Sequence, residues 1–133
     1  MDVFETLVIQ YVTRRPHVFI SPQYSIDDEW SCPDFVALDF KAKVFSVVEV
    51  SSAFRPATLI NKVREREKQW LERLRAQLER NGVVDSSWRA LVEVFIRRDA
   101  RPDFERKVGT HDDVVVHSLE DIGYPWQWDW SKE

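Results

Sequence analysis

The sequence has one cysteine, three glycines and three scattered histidines, and each scarcity removes a class of protein. A lone thiol, Cys32, closes no disulfide within the chain and builds no thiolate metal cluster, which fits a reducing compartment. Placed before a strand, Cys32 reads as a small buried residue rather than a catalytic thiol. His17, His111 and His117 lack ligand spacing, which argues against a zinc centre. There is no glycine-rich phosphate loop and no G-x-S-x-G elbow, so nucleotide binding through such a loop is set aside. The apolar runs are strand-sized, far below the roughly 20 residues that span a bilayer. The opening stretch MDVFETLVIQYV carries early acids and lacks the basic start and cleavage site of a signal peptide. The expectation is a cytoplasmic protein with no membrane partner.

What is present fits one globular domain, residues 1–133, with a modest core: 44% of residues are apolar and 32% charged. The net charge of −4 argues against a protein that coats nucleic acid by bulk electrostatics. The charge is unevenly spread, however. Between Arg55 and Arg80 eight bases face four acids, whereas from His111 onward six acids face Lys132 alone. A basic helix could track a phosphate backbone, and an ordinary solvated helix with i,i+4 pairs accounts for it equally well.

Phe4, Leu7, Val8 and Tyr11 recur at helical spacing and predict a first helix from about Val3 to Val12. HVFISPQYSI reads as extended, with Pro22 implying an edge position or a bulge. DDEWSCP is a turn. Phe35 to Phe40 and Val44 to Ser51 read as strands joined through Lys41, Ala42 and Lys43, short enough to force an antiparallel hairpin. Pro56 suits the first turn of a long amphipathic helix, with Leu59, Val63, Trp70, Leu74 and Leu78 on one stripe until Asn81-Gly82 stops it. A strand then carries Trp88, Ala90, Val92, Val94 and Ile96 on one side, parallel to its predecessor because the intervening helix is too long for a hairpin. Pro102 to Val108 suggests a short helix and DVVVHSL a last strand. The expected fold is α/β: a mixed central sheet flanked by helices.

Strand alternation puts Glu49 and Ser51 on the side of Phe45 and Val47, and Asp34 opens the neighbouring strand. An acid ending a core-facing row is costly without a partner or a cation. Asp34 and Glu49, with the main-chain carbonyl of Val50, are hard oxygen ligands suited to Mg²⁺, with Mn²⁺ as substitute. Such an ion would lower the pKa of a bound water and neutralise charge developing on a phosphodiester. Paired acids on a hairpin are also common as plain surface charges. Glu67 falls near the middle of the apolar stripe of the long helix and reads as a structural ion pair rather than a ligand.

The Pro33-Asp34 dipeptide, Glu49 on the next strand, the preceding helix with Glu5 and the following crossover helix together resemble the PD-(D/E)XK nuclease superfamily, built on an αβββαβ core of restriction-endonuclease-like type. The resemblance covers roughly Val3 to Ile96. It implies that Asp34 and Glu49 bind the metal, that Val50 lends its carbonyl, and that Glu5 assists; Gln23 resembles a glutamine often seen before the motif, with an orienting role at best. The departure is Ser51, which stands where the superfamily carries its lysine. In some members that lysine has moved to the following helix, and Lys62, thirteen residues beyond Glu49, is the candidate here. Lys68 is the reserve, while Lys41 and Lys43 sit at the wrong end of the hairpin.

The implied function is a Mg²⁺-dependent nuclease, foremost a DNA endonuclease, acting alone as a homodimer or beside a targeting protein. The competing expectation is an inactive module on the same scaffold that binds protein or nucleic acid as an assembly factor. The ending YPWQWDW places Trp126, Trp128 and Trp130 on alternate residues, a platform for packing first, a partner surface second and base stacking third.

Overall fold

The computed structural model of the chain describes residues 2–22 and 34–122. Cys32, Pro33, Gln23 and the Trp126, Trp128 and Trp130 segment lie outside the described residues. The first helix, α1 (Val3–Thr13), begins with a capping box. The Glu5 amide donates to the Asp2 side chain at 2.8 Å, and the Asp2 amide donates to the Glu5 carboxylate at 3.2 Å. Its stripe buries Val8 and Val12 completely.

Among the described residues five strands follow: β1 (Val18–Pro22), β2 (Phe35–Asp39), β3 (Val44–Val50), β4 (Arg89–Ile96) and β5 (Val114–Ser118). They pair in the order β1-β2-β3-β4-β5, antiparallel across the first three and parallel across the last three. The tight β2–β3 turn is held by Asp39, whose carboxylate accepts the amides of Lys41 and Ala42. Pro22 ends the edge strand β1, a place where a missing N–H is tolerated.

Alternation divides the sheet into two cores. Phe35, Ala37, Val48 and Phe95 face α1 and a short helix α6 (Leu119–Ile122), which the sequence pattern did not reveal. Val36, Phe45, Val47, Val92, Val94 and Ile96 face the other way, against the crossover helices and α5 (Arg101–Val108). The chain is therefore an α/β domain, a mixed sheet between two helical layers.

The long helix anticipated after Pro56 is three pieces: α2 (Ala57–Arg64), α3 (Arg66–Gln69) and α4 (Leu71–Arg80). The backbone leaves helical geometry at Glu65 (φ −99, ψ 10) and at Trp70 (φ −141, ψ −27). Side chains take over the carbonyls that α2 leaves open. The Trp70 indole N–H donates to the Lys62 carbonyl at 2.9 Å, and Arg66 donates to the Val63 carbonyl at 2.8 Å. Leu59, Val63, Trp70, Leu74 and Leu78 all remain buried through the bends. The rotation between them changes, though. Glu67, which an unbroken helix would put on the apolar stripe, is exposed, and the buried charge is Arg66, clasped by Asp113 at 2.7 and 2.8 Å. Replacing Trp70 by Phe keeps the buried ring but removes the indole donor to the Lys62 carbonyl, so a loss of about 1–2 kcal/mol is expected. Urea unfolding should show a lower midpoint at unchanged slope.

Candidate functional site

In the β2–β3 ladder Phe35 pairs with Val48 and Val36 with Val47. One step further sets Asp34 opposite Glu49, both on the face covered by α2. Asp34 accepts the Val50 amide at 2.8 Å, which pins its carboxylate against the end of β3. Glu49 is only 5% exposed, above the completely buried Phe45 and Val47. From α2, Lys62 brings its ammonium to 2.6 Å from Glu49 Oε1. The buried Pro56 at the head of α2 helps aim this helix over the strand end. The Lys62 ammonium holds this otherwise unpartnered buried oxygen as an ion pair.

Burial pushes the Glu49 carboxyl up to about 7. The Lys62 ammonium pulls in the opposite direction, and the Asp34 carboxyl, near enough to share a proton, pushes it up further. Since the folded value lies above the ordinary one, the folded state holds a proton that the unfolded chain has already released. Stability is therefore lost as pH rises from about 4.5 through 7, with a ceiling of about 3 kcal/mol. Glu49→Gln should abolish that decline. Urea midpoints of both proteins at pH 5 and pH 8 provide the check; parallel behaviour of variant and wild type would contradict it.

The remaining sequence candidates are placed as follows. Val50 engages Asp34 through its amide, and in a strand the carbonyl of the same residue leaves on the same side. Ser51 is half-buried; its amide donates to the Phe95 carbonyl at 3.0 Å and its hydroxyl accepts the Ala53 amide at 3.2 Å, so it continues the strand and closes a turn. Glu5 is not brought to the pair. It is engaged in the α1 capping box, and α1 covers the opposite face of the sheet from the one Glu49 faces. Lys68 is exposed on α3, and Lys41 and Lys43 lie in the turn at the far end of the hairpin.

A second buried acid escaped the sequence reading. Glu93, 2% exposed in the middle of β4 on the α1 face, accepts two hydrogen bonds from Arg15 at 3.1 and 2.9 Å and one from His117 at 3.1 Å. His117 stacks on Phe95 with ring centroids 4.4 Å apart, and Tyr11 meets both rings edge-on. Burial alone would raise this carboxyl, but the bonds from His117 and Arg15 and their charge outweigh it and hold it at about 2. The only signal in the sequence was the acid in VEVF, a strand otherwise apolar on both faces. Its partners, Arg15 just after α1 and His117 on β5, are remote in sequence, so no spacing rule finds them.

No protein family, curated protein or solved structure matches this chain. Among the described residues no cluster of three or more His, Cys, Asp or Glu side chains is arranged for a metal. The donor set at Asp34 and Glu49 is two carboxylates with the Val50 carbonyl on their side. It is compatible with a hard cation that keeps several waters and that would share the buried Glu49 Oε1 with the Lys62 ammonium. No helix among the described residues is long and apolar enough to cross a membrane.

Proposed function

We propose that the chain is a nuclease of the PD-(D/E)XK kind that hydrolyses phosphodiester bonds, with DNA as the leading substrate and Mg²⁺ as the ion. The observation that supports this reading is the convergence of Asp34, Glu49 and the Lys62 ammonium, from three different elements, on one buried spot at a sheet end. A divalent ion bound there supplies an activated water and neutralises charge on the phosphate. Asp34 and Glu49 would hold it, and the raised proton affinity of Glu49 means that binding would displace a proton near neutral pH. Lys62 takes the part of the lysine that Ser51 replaces: its flexible ammonium compensates negative charge on the attacked phosphate. Val50, through its amide, keeps Asp34 in place.

A second reading is favoured by one observation: Lys62 already neutralises Glu49 at 2.6 Å, as a purely structural ion pair would. In that case the domain is an inactive module that works as an assembly factor. Incubation with single-stranded, duplex and branched DNA in Mg²⁺ or Mn²⁺ separates the two. The nuclease reading expects cleavage by the wild type and its loss in Asp34→Ala, Glu49→Ala and Lys62→Ala. Cleavage that survives the first two substitutions, or a wild type that neither cuts nor binds either ion, rejects it.

A further inference from the structure

The loop between β3 and α2 carries an aromatic side chain that no core accounts for. Phe54 is 53% exposed, and the guanidinium carbons of Arg55 and Arg97 lie 5.8 and 5.5 Å from its ring centroid. With Arg55, Asp99, Asp103, Arg106 and Lys107 it lines an open cavity of about 290 Å³. A second hollow of about 480 Å³, bordered by Arg64 at the end of α2, by Glu67 and His111, and again by Lys107 of α5, shares Lys107 with the first. The seam lies at the sheet end that holds Glu49, because the Ser51 amide bonds to Phe95 and so brings the exit of β3 beside the end of β4, where Arg97 begins.

The charges of the seam favour an anion. Arg55, Arg64, Arg106 and Lys107 face Asp99, Asp103 and Glu67. Asp99 is engaged by Arg97, and Asp103 by Arg106 and Lys107. In the Asp103 pairs the Arg106 and Lys107 side chains are exposed, which makes these pairs weak, so a phosphate can compete with Asp103 for them at little loss. On a chain of net charge −4, phosphate attraction has to come from such a local patch. An exposed ring among guanidiniums adds what phosphate alone does not need, a flat surface for a base. Duplex bases are closed to it by their own stacking, whereas an unpaired base is open.

We propose that the seam between α2 and α5 is the track for one unpaired nucleic-acid strand, with a base stacked on Phe54 and phosphates on Arg55, Arg106 and Lys107. The direction of the track toward Asp34 and Glu49 rests on the nuclease reading; binding itself does not.

Fluorescence anisotropy in EDTA, with labelled short oligodeoxyribonucleotides, oligoribonucleotides of the same sequence and the matching duplex, provides the test. Single strands of one or both sugars should bind more tightly than the duplex. Phe54→Ala should weaken them about tenfold or more while Phe54→Trp keeps them. Lys107→Ala should lower the salt slope by about 0.7. The proposal is overturned by a wild type that binds nothing, by equal affinity for strand and duplex with Phe54→Ala unchanged, or by poly-glutamate displacing the strand equally well, which would mark an acidic peptide surface. Strand binding lost in Phe54→Ala, without divalent-dependent cleavage, keeps the track and removes the nuclease reading. Cleavage with strand binding unaffected by Phe54→Ala and Lys107→Ala does the reverse.

Discussion

Glu49→Gln is expected, on the proposed nuclease reading, to lower divalent-dependent cleavage by about 100-fold or more, and at pH 8 to make the protein more stable than the wild type. The two effects share one cause. The glutamine amide has almost the shape of the carboxyl and fits the same space above Phe45 and Val47, so packing is kept. Its carbonyl cannot supply the negative charge that holds a divalent ion. It also removes a carboxylate that burial destabilises above pH 7 despite the Lys62 ammonium beside it. If the attraction of Lys62 outweighed the cost of burying the Glu49 charge, the substitution would instead lower stability at every pH above the Glu49 titration. Denaturant midpoints and a cleavage assay on the same two preparations separate these outcomes.

Arg15→Ala is expected to cost about 2–4 kcal/mol at neutral pH. Removing one member of a buried pair leaves the other charge uncompensated, ordinarily at about 3–5 kcal/mol. The range is lowered because the Arg15 side chain is 37% exposed and His117 still donates to Glu93. Against a total of roughly 7–20 kcal/mol for a chain of this size, that is a large share. The pH dependence is specific. Glu93 has a folded value below its unfolded one, so its contribution is complete above about pH 4.5 and is lost as pH falls toward 2. The gap between wild type and Arg15→Ala should therefore be widest at neutral pH and shrink in acid. A gap that stays constant between pH 7 and pH 3 would show that Arg15 acts by packing on Tyr11 rather than through Glu93. Arg15→Leu combined with Glu93→Leu should recover much of the loss, since apolar side chains fit that position as well as an ion pair does.

The parts of this structure that follow from short-range pattern were legible in the sequence. Period-two alternation set Glu49 with Phe45 and Val47, and a short turn fixed the hairpin that brings Asp34 across from it. The Lys62 flank of the stripe follows from helical rotation over the few residues after Pro56, before any break intervenes. Beyond Glu65 the same rotation misplaced Glu67. The stripe Leu59, Val63, Trp70, Leu74, Leu78 satisfies an unbroken helix as well as a bent one, and the indole and guanidinium that stabilise the bends are invisible to hydrophobic periodicity. Glu5 was misjudged for a related reason. Helix order says nothing about which sheet face a helix covers, and α1 covers the face away from Glu49. The Glu93 cluster joins α1, β4 and β5, and only tertiary packing brings its members together.

Titration of the protein with Mn²⁺ at pH 8, followed by the electron paramagnetic resonance of the free ion, addresses the pairing of Asp34 and Glu49 most directly. One tightly held ion per chain in the wild type, lost in both Asp34→Asn and Glu49→Gln and retained in Lys62→Ala, is the expected result. Equal Mn²⁺ uptake by the wild type and both carboxyl variants, or none by any of them, would contradict the account.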